Sequence, residues 1–181
     1  MKRGWGGRLR PVSIDSDIDG PTLYLPESLV AEVNRLLRTY GGEEDHEGVV
    51  YLGGAEVADG AVALVALSPD AETTGGSFQT DLESNTAVVR ALGELGLELV
   101  GQIHSHPGDW VDHSDGDDQG ALVRFQGYWS LVVPAFARGG MRPLTGCGVH
   151  LYTGGRFRRL TEAAVRARVH ILPQSVDLRR E

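Results

Sequence analysis

His104, Ser105, His106 and Pro107 open the chemically densest stretch of the chain, which runs on through Asp109, Asp112, His113, Ser114 and Asp115 to Asp117. Side chains at i and i+2 of a strand share a face, so His104 and His106 at a strand's end can grip one ion together. Pro107 has no N–H to give a ladder and ends the pairing. Asp117 adds a carboxylate once the loop folds back. Two imidazoles and one carboxylate form the three-ligand pattern of catalytic zinc, with the fourth position left for water. Calcium competes with this reading, because Asp115-Gly116-Asp117-Asp118-Gln119-Gly120 partly matches an EF-hand calcium loop. It fails at the last ligand, where Gln126 stands in place of a bidentate Glu, and no incoming helix precedes the loop. Solvated histidines beside an Asp-rich turn are the plainest alternative.

These residues need a strand that ends in a loop, and the surrounding pattern supplies one. Residues 1–20 read as a loosely attached arm. A strand over Thr22–Leu25 leads to a helix start at Pro26-Glu27-Ser28. Leu29, Val30, Val33, Leu36, Leu37 and Tyr40 then recur at helical spacing, and Gly41-Gly42 closes the helix. Gly48–Leu52 is a buried strand ending at Gly53-Gly54, and Ala61–Leu67 is a second strand able to pair with it. Ser68–Thr80 is a polar loop. A second helix places Leu82, Val88, Val89, Leu92 and Leu95 on one stripe and stops at Gly96. Leu97–His104 is the strand that delivers the histidines. Asp117–Phe125 forms a short helix, Tyr128–Ala135, Gly148–Thr153 and Arg156–Leu160 form strands, and Thr161–Val169 a last helix. This mixture predicts an α/β layered domain over residues 21–172, built around a curved mixed sheet, with 173–181 as a tail.

Composition narrows the function further. The chain has 181 residues, 41% hydrophobic and 23% charged, with a formal net charge of −8. That charge repels phosphate backbones and anionic lipids, so no nucleic acid and no membrane are expected as partners. No apolar run reaches the length of a membrane helix, and no secretory signal follows the basic N-terminus. One cysteine, Cys147, allows no internal disulfide and suits a reducing, cytoplasmic setting.

His-Ser-His-Pro, six residues, Ser114, two residues and Asp117 resembles the signature of the JAMM/MPN+ (JAB-domain) metalloproteases at every fixed position. That family also carries an upstream glutamate at the start of a strand ending in glycine. Glu47 lies seven residues before Gly54, the family's outer spacing, although Val50 replaces its inner glycine. Glu43 and Glu44 are the fallback positions in the same acidic run. The resemblance covers roughly residues 22–160 and implies a JAB/MPN-like (cytidine-deaminase-like) fold. It implies that His104, His106 and Asp117 hold Zn²⁺. It further implies that Glu47 shuttles a proton between water and the leaving amine, and that Ser114 donates to the oxyanion. Cys147 has no part in such chemistry.

The activity so implied is that of a deubiquitinase-like peptidase or isopeptidase, acting on a ubiquitin-like modifier, its conjugates or a sulfur-carrier protein. E1/E2-like operon partners would accompany it. The modifier's tail would lie beside a strand near the metal, with the 68–80 loop assisting. A non-catalytic MPN scaffold is the alternative, although such scaffolds usually lose metal ligands that this chain keeps. A DNA-linked RadC-type relative is disfavoured by the residue between the histidines and by the acidic charge. A plain loop histidine is the ordinary reading of His113, although it stands near enough to the site to support it or to face the substrate. His46, His150, His170, Trp110 and Trp129 are read as packing or surface residues.

Overall fold

Leu23 and Leu25 alternate with half-buried neighbours in β1 (Thr22–Pro26), the period-2 pattern of a strand with one face on a core. The computed structural model describes residues 20–40 and 45–174. The expected arm over 1–19, the Gly41-Gly42 helix stop, the fallback Glu43 and Glu44, and the tail from 175 onward lie outside the described residues.

Helix α1 (Glu27–Tyr40) follows β1 directly and turns Leu29, Val30, Val33 and Leu37 inward at i, i+3 and i+4 spacing. Strands β2 (Val49–Val57) and β3 (Gly60–Leu67) form an antiparallel hairpin. Helix α2 (Leu82–Leu95) starts on an Asp81 cap and stops at Gly96, whose φ of 66° suits glycine. Strand β6 (Glu98–Ser105) precedes the short helix α3 (Asp115–Gly120) and β7 (Trp129–Val133). Strands β8 (Gly148–Thr153) and β9 (Arg156–Arg159), helix α4 (Glu162–Arg168) and β10 (Val169–Leu172) complete the fold. Between β3 and α2 lies a small hairpin of β4 (Glu72–Thr74) and β5 (Ser77–Gln79).

The main sheet has eight strands in the order β10-β1-β3-β2-β6-β7-β8-β9. The pairs β10–β1, β1–β3 and β6–β7 are parallel and the others antiparallel. Its two faces meet different partners, which is why Val49, Val50, Tyr51 and Leu52 are all fully buried. Val50 and Leu52 join the main core with α1, whereas Val49 and Tyr51 pack with Val88 and Leu92 of α2. The result is the mixed curved sheet flanked by helices that the sequence predicts. No helix among the described residues is long and apolar enough to cross a membrane.

Five local expectations are revised, and α3 also ends at Gly120 where Phe125 is expected. Strand β2 does not stop at Gly53-Gly54 but runs through it, shifting register there against both neighbours. A Cβ on Gly54 would lie 2.1 Å from the Val62 carbonyl oxygen. Gly54→Ala is therefore expected to destabilise the fold by about 1–3 kcal/mol in denaturant titration, because backbone cannot swing away as a side chain can. In α2, Leu82, Val89 and Leu95 are exposed and only Val88 and Leu92 of the expected stripe pack inward. The polar 68–80 loop contains the β4–β5 hairpin. Finally α3 begins at Asp115, not Asp117, because Ser114 caps it, and the chain adds β10 after α4.

Candidate metal centre

Strand β6 is buried from Val100 onward, with His104 paired to Val49 of β2 on one side and Val132 of β7 on the other. His106 lies just past the strand end yet stays pinned. Its N–H donates to the Val133 carbonyl at 2.9 Å, and its carbonyl accepts from the Phe136 N–H at 2.8 Å. Both imidazoles thus reach the same face. Because β6 and β7 run parallel, their connection must cross over, and α3 lies within it. That crossover carries Asp117 back over the end of β6.

His104 Nε2 and His106 Nε2 lie 3.2 Å apart, and each is 3.4 Å from one oxygen of Asp117. All three residues are buried, and they form the one group of this kind among the described residues. The His106 ring stacks on Trp110 with centroids 5.1 Å apart, while its Nδ1 lies 3.0 Å from the Trp110 carbonyl oxygen. Donation of Nδ1–H to that carbonyl leaves the Nε2 lone pair facing the cluster. Burial pushes His104 down to about 3, so it is neutral. Burial alone would raise Asp117, but the imidazoles of His104 and His106 outweigh it and hold the carboxyl below the usual carboxylate range. Burial would lower His106, yet the Asp117 carboxylate raises it above the usual imidazole value. Two imidazole nitrogens and one carboxylate, converging in a buried cleft, suit a borderline transition-type cation. They do not suit calcium, which needs six or more oxygens, and Asp118 turns instead to His113.

Ser114 and Asp117 form a reciprocal cap. The Asp117 N–H donates to Ser114 Oγ at 3.1 Å, and the Ser114 N–H donates to Asp117 Oδ2 at 2.6 Å. The cap fixes the carboxylate and leaves the Ser114 hydroxyl proton for another acceptor. Glu47 sits at the mouth of β2, 5% exposed, with its N–H donating to the Thr74 carbonyl of β4. Burial raises its carboxyl to about 7, with nearby His106 opposing and Asp117 adding to the rise.

Sequence reasoning assigned no task to Ser105. Its Oγ accepts from the Gly48 N–H and its N–H donates to the Gly48 carbonyl, both at 3.0 Å. These bonds tie the strand bearing the histidines to the residue after Glu47. Phe78 of β5 also went unassigned, and it packs on the His104 ring at 5.4 Å. His113 is bound by Asp118 and Ser130. His150 is buried against it, His46 meets Thr73, and His170 packs on Tyr24. Trp129 is core, whereas Trp110 is 41% exposed beside the cluster. Cys147 is buried, and burial raises its thiol to about 12.

No family model matches the chain. A probable metalloprotease, y4jG of Sinorhizobium fredii, is 34% identical over 124 residues, spanning 66% of this chain and 75% of that protein. The chain belongs to the JAB/MPN metalloprotease family. Its fold is shared with protein DSY2949 of Desulfitobacterium hafniense, at TM-score 0.59 and 15% identity over 84% of this chain and 95% of that one. A JAB1/MPN domain protein of Archaeoglobus fulgidus matches more loosely, at TM-score 0.43 and 14% identity over 77% and 99% of the two chains. Within this fold His104, His106 and Asp117 form a cluster that could hold a metal ion.

Proposed function

We propose that the protein is a zinc-dependent JAMM-type peptidase or isopeptidase that hydrolyses the bond after the C-terminal tail of a ubiquitin-like modifier or sulfur-carrier protein. The observation that carries this reading is the convergence of three buried donors, His104, His106 and Asp117, beside the buried carboxyl of Glu47. Those three residues would hold the cation. When bound, Zn²⁺ acts as a Lewis acid that makes water a nucleophile near neutral pH and polarises the scissile carbonyl.

The protein's own groups do the rest. Glu47 takes a proton from the attacking water and gives it to the departing amine nitrogen, a task that a carboxyl near 7 suits. The Ser114 hydroxyl donates to the oxygen on which charge develops. The β4–β5 hairpin supports an extended tail as substrate, because it presents a short sheet edge next to Phe78 and Glu47. A ubiquitin-like conjugate attached by E1/E2-like partners is the macromolecule that carries such a tail.

The test uses a ubiquitin-like protein joined through its Gly-Gly tail to an aminocoumarin amide. The purified protein should release the dye, lose the activity to a chelator and regain it with zinc. A protein that binds zinc but leaves every such tail uncut is a scaffold, and the peptidase reading falls. Ser114→Ala should lower stability by about 1 kcal/mol through the lost cap. It should lower kcat by about 10²–10³ through the lost oxyanion donor. If excess zinc restores full turnover, Ser114 acts through the cap alone.

A further inference from the structure

Gln102 precedes His104 by two residues on β6 and pairs across the ladder with Ser130 of β7. Its Nε2 donates to Ser130 Oγ at 3.3 Å. Ser130 Oγ is in turn 2.8 Å from His113 Nε2, and His113 Nδ1 is 2.8 Å from Asp118 Oδ1. Asp118 is the neighbour of Asp117 in the first turn of α3. The proton assignments follow from the ends of the chain. The Asp118 carboxylate only accepts, so Nδ1 of His113 carries the proton. Nε2 then accepts from the Ser130 hydroxyl, whose oxygen stays open to Gln102. Gln102, Ser130 and His113 each donate in one direction, and Asp118 is the terminal acceptor.

The two ligand-bearing elements, β6 with His104 and α3 with Asp117, are joined by the loop over 106–114. The His113 ring packs between them, 5.5 Å from the His104 ring and 4.1 Å from the buried His150 ring, with Phe157 at 4.7 Å. We infer that Gln102, Ser130, His113 and Asp118 form a directed hydrogen-bond chain that locks α3 against β6, making His113 a positioning residue for the metal centre. This rests on the cation-binding reading above and deepens it. His113 lies within the six-residue gap of the motif, a gap whose residue types the signature leaves open. A cation gains affinity when its donors are held in place before it arrives, and residues that orient ligands typically contribute 10–100-fold.

The experiment measures zinc affinity by chelator competition, together with the melting temperature of the metal-free protein and the visible band of the cobalt-loaded form. His113→Phe keeps an aromatic ring against His104, His150 and Phe157 while removing both hydrogen bonds. It should weaken zinc binding about 10–100-fold and shift the cobalt band. Ser130→Ala and Asp118→Ala break the chain at its other joints and should act in the same direction, with the metal-free melting temperature near that of the wild type. His113→Phe combined with Ser130→Ala should bind no more weakly than His113→Phe alone, because both cut one chain. If His113→Phe fails to fold, the other two variants decide. Wild-type zinc binding with unchanged affinity and cobalt spectrum in the folded variants overturns this inference alone. A wild-type protein that holds no zinc overturns the metalloprotease reading and this inference together.

Discussion

Replacing Glu47 with Gln is expected to leave zinc content and melting temperature near those of the wild type while turnover falls by about 10²–10⁴. The substitution keeps shape and hydrogen-bonding reach and removes only basicity. Glu47 is buried next to the cluster, and its backbone N–H donates to the Thr74 carbonyl, which pins the residue there. Stability should hold because burial makes the charged form costly, and a neutral amide avoids that cost. Glu44→Gln is the matched control from the same acidic run and should remain near wild-type activity. A dead Glu44→Gln beside an active Glu47→Gln would move the proton shuttle to another residue and leave the metal cluster intact. Full activity in both would remove the proton-shuttle chemistry altogether.

Asp117→Asn should abolish zinc binding at micromolar metal and turnover with it. The asparagine oxygen can still accept from the Ser114 N–H, so the cap survives and the lost charge is isolated. That charge is what makes the cleft favourable for a cation beside the two imidazoles. Thermal melts with and without zinc give the cleanest readout. A ligand that binds only the folded state stabilises it by about 2.7 kcal/mol at one hundred times its dissociation constant. The wild type should show this upward shift and Asp117→Asn should not. An equal zinc-induced shift in the variant would mean that Asp117 is no ligand. The double variant His104→Ala with His106→Ala should likewise contain no zinc by elemental analysis, though with lower stability, since both rings are buried.

What the sequence displayed best was local. His104 and His106 share a face by the pleat alone, and Ser114 stands three residues before Asp117, the spacing of a reciprocal cap. Glu47 was placed through its distance from Gly54, although that strand runs on where a stop was read. The wider site depends on contacts that spacing cannot encode. Gln102 and Ser130 become partners only because β6 and β7 lie side by side, and His113 gains its purpose from both. The β4–β5 hairpin hid because its strands are three polar-rich residues each and carry no apolar alternation. Leu82, Val89 and Leu95 looked like a core stripe, yet α2 meets the sheet through little more than Val88 and Leu92. Strand β10 hid in the end of a helical pattern, because Val169–Leu172 earns its strand geometry from pairing with β1 rather than from its own composition.

That pairing bears on the order in which the protein can be made. On a ribosome, β1 emerges long before β10, the strand that covers one of its edges among the described residues. Through the synthesis of every intervening strand, β1 keeps a row of open backbone donors and acceptors on that side. That side of β1 therefore stays open until residues 169–172 leave the tunnel and move the sheet's border to β10. A chain interrupted within α4 would carry His104, His106 and Asp117 and still lack the strand that pairs with the outer side of β1.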